Sequence, residues 1–286
     1  VARTTLSQYR YGVYDPTTRL SDGEFWRATL TPCGPGTLHL DWRSGTLVRR
    51  AWGPGADWLL DGVPALTGST DDGYRFTDAH PAILRAQQRH SVSFGASRTL
   101  YHELLATILG QRITAGEALA QWRRLVRALG QPAPGPARSL LLPPTPDAVS
   151  SQPTWWFHPM GIEARRAETL KTVARHADRI AEWSTGTVAA ARAGLALLPG
   201  VGQWTVGSVL GHAMADPDAV AVGDFHLKHM VTYALTGRPR GTDETMLDLL
   251  APYEGQRGRV VRLLQLSGSR APAFGPRKRV LPLNRW

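Results

Sequence analysis

The sequence predicts an α+β protein in which a smaller antiparallel-sheet α/β unit, residues 1–80, precedes a mainly helical unit, residues 81–286. Three observations carry this. Up to about His90 the chain is a series of short β-like stretches separated by Gly- and Pro-containing turns. Beyond Ser97, apolar residues recur every three or four positions in one segment after another. A chain of 286 residues, 42% hydrophobic and 20% charged, is also long enough for two cores. No apolar run approaches the roughly 18 residues of a membrane span, and Val1-Ala2-Arg3-Thr4-Thr5 leads into polar sequence without a secretory signal. A cytoplasmic location and no membrane partner are expected.

In the first unit, Phe25 to Leu30, Thr37 to Trp42 and Gly45 to Trp52 read as strands of a meander. Cys33-Gly34-Pro35-Gly36 and Arg43-Ser44-Gly45 supply the turns, and Ala56 to Val63 is more helical. Trp26, Trp42, Trp52 and Trp58 are expected in the core rather than as stacking platforms.

In the second unit, Ser97 to Gln111 predicts a helix whose apolar face is Leu100, Leu104, Leu105, Ile108 and Leu109 and which Gly110 ends. A second helix follows from about Ala115 to Ala128, then the Pro-rich loop Gln131 to Pro136. Trp155-Trp156-Phe157 cannot all face one way, so at least one ring is exposed or lines a cleft. Glu163 to Ile180 reads as one long helix, and Thr242 as the N-cap of a helix with Asp243 and Glu244 in its first turn. No acidic residue follows Glu254, while eight basic ones do, so this last segment is expected to form an edge of the helical unit that faces a polyanionic partner.

The most specific stretch is Leu197-Leu198-Pro199-Gly200-Val201-Gly202-Gln203-Trp204-Thr205-Val206-Gly207, between two helical patterns. Gly200 and Gly202 permit a tight turn whose amides no side chain covers, and uncovered amides at a helix start attract phosphate. An ordinary helix-helix turn uses the same residue types. About 20 residues on comes Val222-Gly223-Asp224-Phe225-His226-Leu227-Lys228, which places Asp224 at or near a helix N-terminus. There an Asp caps the amides two and three residues on. A carboxylate fixed in that way also suits stabilisation of positive charge developing on a sugar.

These two segments resemble the helix-hairpin-helix DNA glycosylases, most of all the 3-methyladenine, alkylation-repair type. The likeness spans roughly Tyr101 to Arg262. It implies that Asp224 is the catalytic residue and that Pro199 to Thr205 grip double-stranded DNA beside a flipped, damaged base. It further implies a wedge at Gln111-Arg112, where Arg112 departs from the usual apolar side chain. Gln111 serves equally as a cap of the preceding helix. A base pocket walled by Trp204, with Ser208 in place of an aromatic and Tyr253 as a further candidate, is also implied. So is an optional monovalent cation on the main-chain carbonyls of Leu198 and Val201. No cofactor is required, and Cys33, the only cysteine, excludes the four-cysteine iron-sulfur cluster of some relatives.

The net charge of +10, with Arg supplying 30 of the 33 basic residues, fits a polyanionic partner. A lyase would need an amine nucleophile, and the chain holds only Lys171, Lys228 and Lys278. The expectation is a monomeric, monofunctional enzyme that releases alkylated purines of the 3-methyladenine or 7-methylguanine type. The alternatives are a glycosylase for oxidised or deaminated bases and a non-catalytic DNA-binding module.

Overall fold

The structure, a computed structural model, describes residues 3–272. Arg277, Lys278, Arg279 and Arg285 of the expected basic edge lie outside the described residues. Among those described, no helix is long and apolar enough to cross a membrane.

Four antiparallel strands, β1 (Thr18–Leu20), β2 (Glu24–Thr31), β3 (Gly34–Asp41) and β4 (Val48–Trp52), form one sheet in sequence order. β1 has no counterpart among the expected strands because three residues are too few for an alternation to register. The first expected turn shifts as well: Thr31 pairs with Gly34, so Pro32 and Cys33 make the connection and Gly34-Pro35-Gly36 belong to β3. Pairing thus overrides the local turn preference of Gly and Pro. One face of the sheet, Phe25, Leu38 and Leu40, packs with Leu6, Tyr9, Leu59, Val63 and Leu66. The other, through Ala28, Trp26 and Leu30, packs on Ala133, Ala137, Leu140 and Leu142 of the Pro-rich loop. The four tryptophans of this unit are half-buried, with Trp26 stacked 3.7 Å from the His39 ring and 5.5 Å from Trp52.

Two helical cores follow. The first is organised on the helix Leu100–Leu109, which is buried at eight of its ten positions. Packed with it are Ala115–Leu129, Ala164–Arg175, Ala177–Thr185, Val188–Ala196 and Gln203–Ala213. The expected long helix from Glu163 to Ile180 is two helices, because at His176 the backbone leaves helical geometry (φ −105°, ψ 18°). The stripe of small and aliphatic residues continues across the break, which is why periodicity alone reads it as one helix. The second core joins Leu227–Thr236, Asp243–Leu250 and Arg257–Leu266 with Pro81–Arg89 and with Phe76, which precedes the expected boundary at residue 80. Trp155 is 74% exposed while Phe157 is fully buried, as three consecutive aromatics require.

The sheet is fastened to the first helical core by a buried polar network. Arg27 on β2 reaches Glu103 of Leu100–Leu109 at 2.6 Å, and both side chains are almost fully buried. Arg27 also donates to the Tyr9 carbonyl at 2.9 Å, and the Tyr11 hydroxyl donates to the second Glu103 oxygen. His102, beside them, is held well below its usual imidazole range by burial and then by the Arg27 charge.

Candidate active site

The hairpin packs on the first helical core through Leu198 and Val201. Val188–Ala196 ends at Leu197, the chain turns through Leu198 to Gly202, and Gln203–Ala213 begins. Gly200 holds φ +86°, and a Cβ placed there would lie 2.1 Å from Thr169 Oγ1. Both features demand glycine, so Gly200→Ala is expected to cost about 2 kcal/mol. That cost lowers the thermal midpoint by about 5 °C in a chain of this size, and an unchanged midpoint would show that the turn yields. No described group accepts a hydrogen bond from the amides of Gly200, Gly202, Gln203 or Trp204. Leu197 is 82% exposed on the hairpin.

The turn is tied to a second one. Gln111 donates from Nε2 to the Gly200 carbonyl at 2.9 Å and to Thr205 Oγ1 at 3.0 Å. The Leu109 carbonyl and Gln121 receive the buried Arg166 guanidinium at 2.9 and 2.7 Å. Arg112, next along, is exposed and has φ +60°, a left-handed conformation that costs a non-glycine residue about 1–2 kcal/mol. Gln111 therefore fastens the Arg112 turn to the hairpin, and the Thr205 hydroxyl, buried beneath, accepts that contact.

Asp224 precedes the helix Leu227–Thr236. Its Oδ1 accepts the amides of His226 and Leu227, both at 2.8 Å. Its Oδ2 faces Trp204, whose Nε1 donates at 3.3 Å. Trp204 and Asp224 are brought together because Gln203–Ala213 lies directly against the strand-like run into Val220: a Cβ on Gly207 would lie 2.0 Å from the Val220 carbonyl. Beside this pair opens a cleft of about 1320 Å³. Trp204, Ser208 and His212 line it from one helix, Asp224, Phe225 and His226 from the rim, and Arg262 and Gln265 from the helix Arg257–Leu266. Thr4, Thr5, Gln8 and Ser91 to Phe94 add a wall from the N-terminal part.

No protein-family model and no curated protein matches the chain in sequence. Solved structures match it in shape. A 3-methyladenine DNA glycosylase from Archaeoglobus fulgidus superposes with a TM-score of 0.74 and 15% identity, over 94% of this chain and 95% of its own. The chain has the helix-hairpin-helix DNA glycosylase fold. An 8-oxoguanine glycosylase/lyase from Clostridium acetobutylicum, solved with DNA, matches with a TM-score of 0.63 and 12% identity over 89% of this chain and 88% of its own. A 3-methyladenine DNA glycosylase from Schizosaccharomyces pombe, solved with abasic DNA, gives 0.52 and 16% over 64% and 87%.

Of the sequence-derived residues, Trp204, Ser208 and Asp224 line the cleft, while Leu198 to Gln203 and Thr205 belong to the hairpin, to which Gln111, next to Arg112, is hydrogen-bonded. Tyr253 does not line the cleft; its ring packs edge-on against Phe76 and its hydroxyl accepts the His80 amide at 3.1 Å. It packs against the second core, where Phe76 and His80 engage it. Ser208 lines the cleft while its hydroxyl donates to the Trp204 carbonyl at 2.7 Å. Sequence reasoning missed three residues: Phe225, 67% exposed at the rim beside Asp224, and His212 and Arg262 inside. Phe225 sits in the Asp224 segment and an unburied aromatic there is a signal; Arg262 is one arginine among many and gives none.

Proposed function

We propose that the protein is a monofunctional DNA glycosylase of base excision repair, which binds double-stranded DNA, takes a damaged base out of the stack and hydrolyses its N-glycosidic bond. The observation that carries this reading is Asp224, a carboxylate capped by two amides and set at the mouth of a cleft beside an amide-rich hairpin. The free amides of Gly200, Gly202, Gln203 and Trp204 suit a backbone phosphate. The Val201 carbonyl accepts nothing among the described residues and the Leu198 carbonyl only the Val201 amide at 3.0 Å. Both therefore have lone pairs for a monovalent cation, which would add positive charge against that phosphate. Arg112, on its rigid turn, fills the gap that the flipped nucleotide leaves. Asp224 stabilises the oxocarbenium-like sugar and accepts a proton from the attacking water.

The solved relatives of this fold include a glycosylase/lyase, which raises the question of an amine nucleophile. By the sequence resemblance, Trp204 stands at the hairpin position where the lyases carry their lysine. Lys228 is paired with Asp243 at 3.1 Å, and Lys171 lies 3.8 Å from Glu168. Lys278 lies outside the described residues. Release of a base is thus expected to leave an unbroken abasic strand, with no covalent enzyme-DNA adduct on borohydride reduction. A trapped adduct would establish a lyase; binding of DNA without release of any damaged base would return the binding-module reading. Alkylated purines of the 3-methyladenine and 7-methylguanine type are the substrate class that the sequence resemblance implies. Oxidised and deaminated bases are the other class, and the side chains of the base pocket distinguish the two.

A further inference from the structure

Three arginines project from the helix Arg257–Leu266, and they differ in partners. Arg257 donates from Nε to Asp218 at 2.8 Å. Arg259 reaches Asp71 and the Val92 carbonyl, both at 2.7 Å. Arg262 lines the cleft, and among the described residues no hydrogen bond or ion pair engages it. It shares this cavity with Trp204, Ser208 and His212, and it also borders a second, shallower one with Arg3 and Arg10. The one carboxylate among the described lining residues is Asp224, and both of its oxygens are already engaged. The half-buried Arg262 guanidinium therefore keeps donors that no described protein group uses, and a ligand in the cleft that brings an acceptor can take them.

We infer that Arg262 selects a neutral base bearing a carbonyl oxygen, of the deaminated or oxidised class, and stabilises the negative charge that this base acquires as it departs. The inference rests on the glycosylase reading of the cleft and assigns a different substrate class from the cationic alkylated purines. In the reaction the C1′–N bond breaks and its electron pair moves onto the base. The water oxygen bonds to C1′, its proton passes to Asp224 and on to solvent, and the base anion takes a proton from solvent. Next to Arg262, the charge on a neutral base grows from zero toward −1 along this path, so the attraction is stronger in the transition state than in the ground state. A purine alkylated at N3 or N7 begins positive and ends neutral. Arg262 repels it on entry, and it departs without help.

The surroundings agree. Burial draws the Arg262 guanidinium below its usual range, yet an arginine remains charged at neutral pH. Burial also holds His212 below the usual imidazole range, with the charges of Arg262 and Arg27 acting in the same direction and that of Glu103 against them. Trp204 supplies a ring face on which any base can stack, so it does not choose between the classes.

The test is single-turnover release, under saturating enzyme, from duplexes bearing hypoxanthine, uracil, 8-oxoguanine or 7-methylguanine, with wild type, Arg262→Gln and Arg262→Lys. The wild type is expected to release at least one of the three neutral bases faster than 7-methylguanine. In Arg262→Gln the ratio of that neutral base to 7-methylguanine falls about 10²-fold, and Arg262→Lys restores part of it. A leaving-group series adds a readout that a packing role would not move. The advantage of 5-fluorouracil, the more acidic leaving group, over uracil widens when Arg262 is lost. Equal losses on both base classes, or a wild type that prefers 7-methylguanine, overturn the inference and leave the glycosylase reading standing. Release of none of the four bases by the wild type removes the glycosylase reading, and this inference with it.

Discussion

Replacing Asp224 by Asn is expected to slow base release by about 10³-fold while DNA affinity stays the same or rises. The substitution changes charge with almost no change in shape. Asn ranks with Asp as a helix cap, and its amide oxygen can still accept the amides of His226 and Leu227, which Asp224 holds at 2.8 Å. The Trp204 contact at 3.3 Å is long and neutral on the donor side, so its loss moves the thermal midpoint little. What disappears is the negative charge opposite a sugar that becomes cationic as the base leaves. That interaction exists mainly in the transition state, so the loss falls on the chemical step rather than on binding. Phosphate repulsion by the carboxylate also ends, which is why affinity is not expected to drop. The measurement is single-turnover release together with a direct binding titration. Release within tenfold of the wild type would remove Asp224 from the catalytic role whatever the fold.

The parts of this site that were legible in the sequence are local ones. The hairpin is readable because Pro199 and Gly200 mark a turn, although only Gly200, at φ +86°, requires glycine and Gly202, at φ −91°, does not, and Asp224 because a cap has a fixed offset from the helix that it starts. Both depend on neighbours within a few positions. The cleft itself is a product of packing between two helical cores, and its lining residues lie far apart in the chain: Gln8, Phe94, Trp204 and Arg262. Nothing in a one-dimensional pattern distinguishes Arg262 from Arg257 or Arg259, since what differs is the presence of Asp218 or Asp71 in space. Tyr253 packs with Phe76 and His80 instead of lining the cleft for the same reason, since those partners are distant in the chain. In the sheet, the register placed Gly34 to Gly36 inside β3 against a local preference for a turn. The break at His176 is equally tertiary, because the apolar stripe runs on through it.

The same limit applies to the most heavily buried charge among the described residues, and it leads to the largest expected effect on stability. Glu103 stands in the first turn of a mainly apolar helix and Arg27 in a strand, 76 positions away; neither announces the other. Glu103→Gln is expected to lower stability by about 3–5 kcal/mol, because it leaves the Arg27 guanidinium buried without its counter-charge. At roughly 2–4 °C per kcal/mol for a chain approaching this size, the thermal midpoint should fall by about 6–20 °C. The triple variant Arg27→Met, Glu103→Leu, Tyr11→Phe removes both charges and the tyrosine hydroxyl that donates to Glu103. It should recover most of the loss, since a well-filled apolar contact replaces a pair whose attraction is largely spent on desolvation. Thermal unfolding of the three proteins decides the matter. If Glu103→Gln melts with the wild type, the network does not fasten the sheet to the helix. If the triple variant is as unstable as the single one, the pair stabilises through its Coulomb energy and not merely by avoiding an orphaned charge. The helix concerned, Leu100–Leu109, leads directly into Gln111 and Arg112. Loosening its N-terminal half while Gln111 still holds the Gly200 carbonyl should therefore cost stability before it costs base release at low temperature.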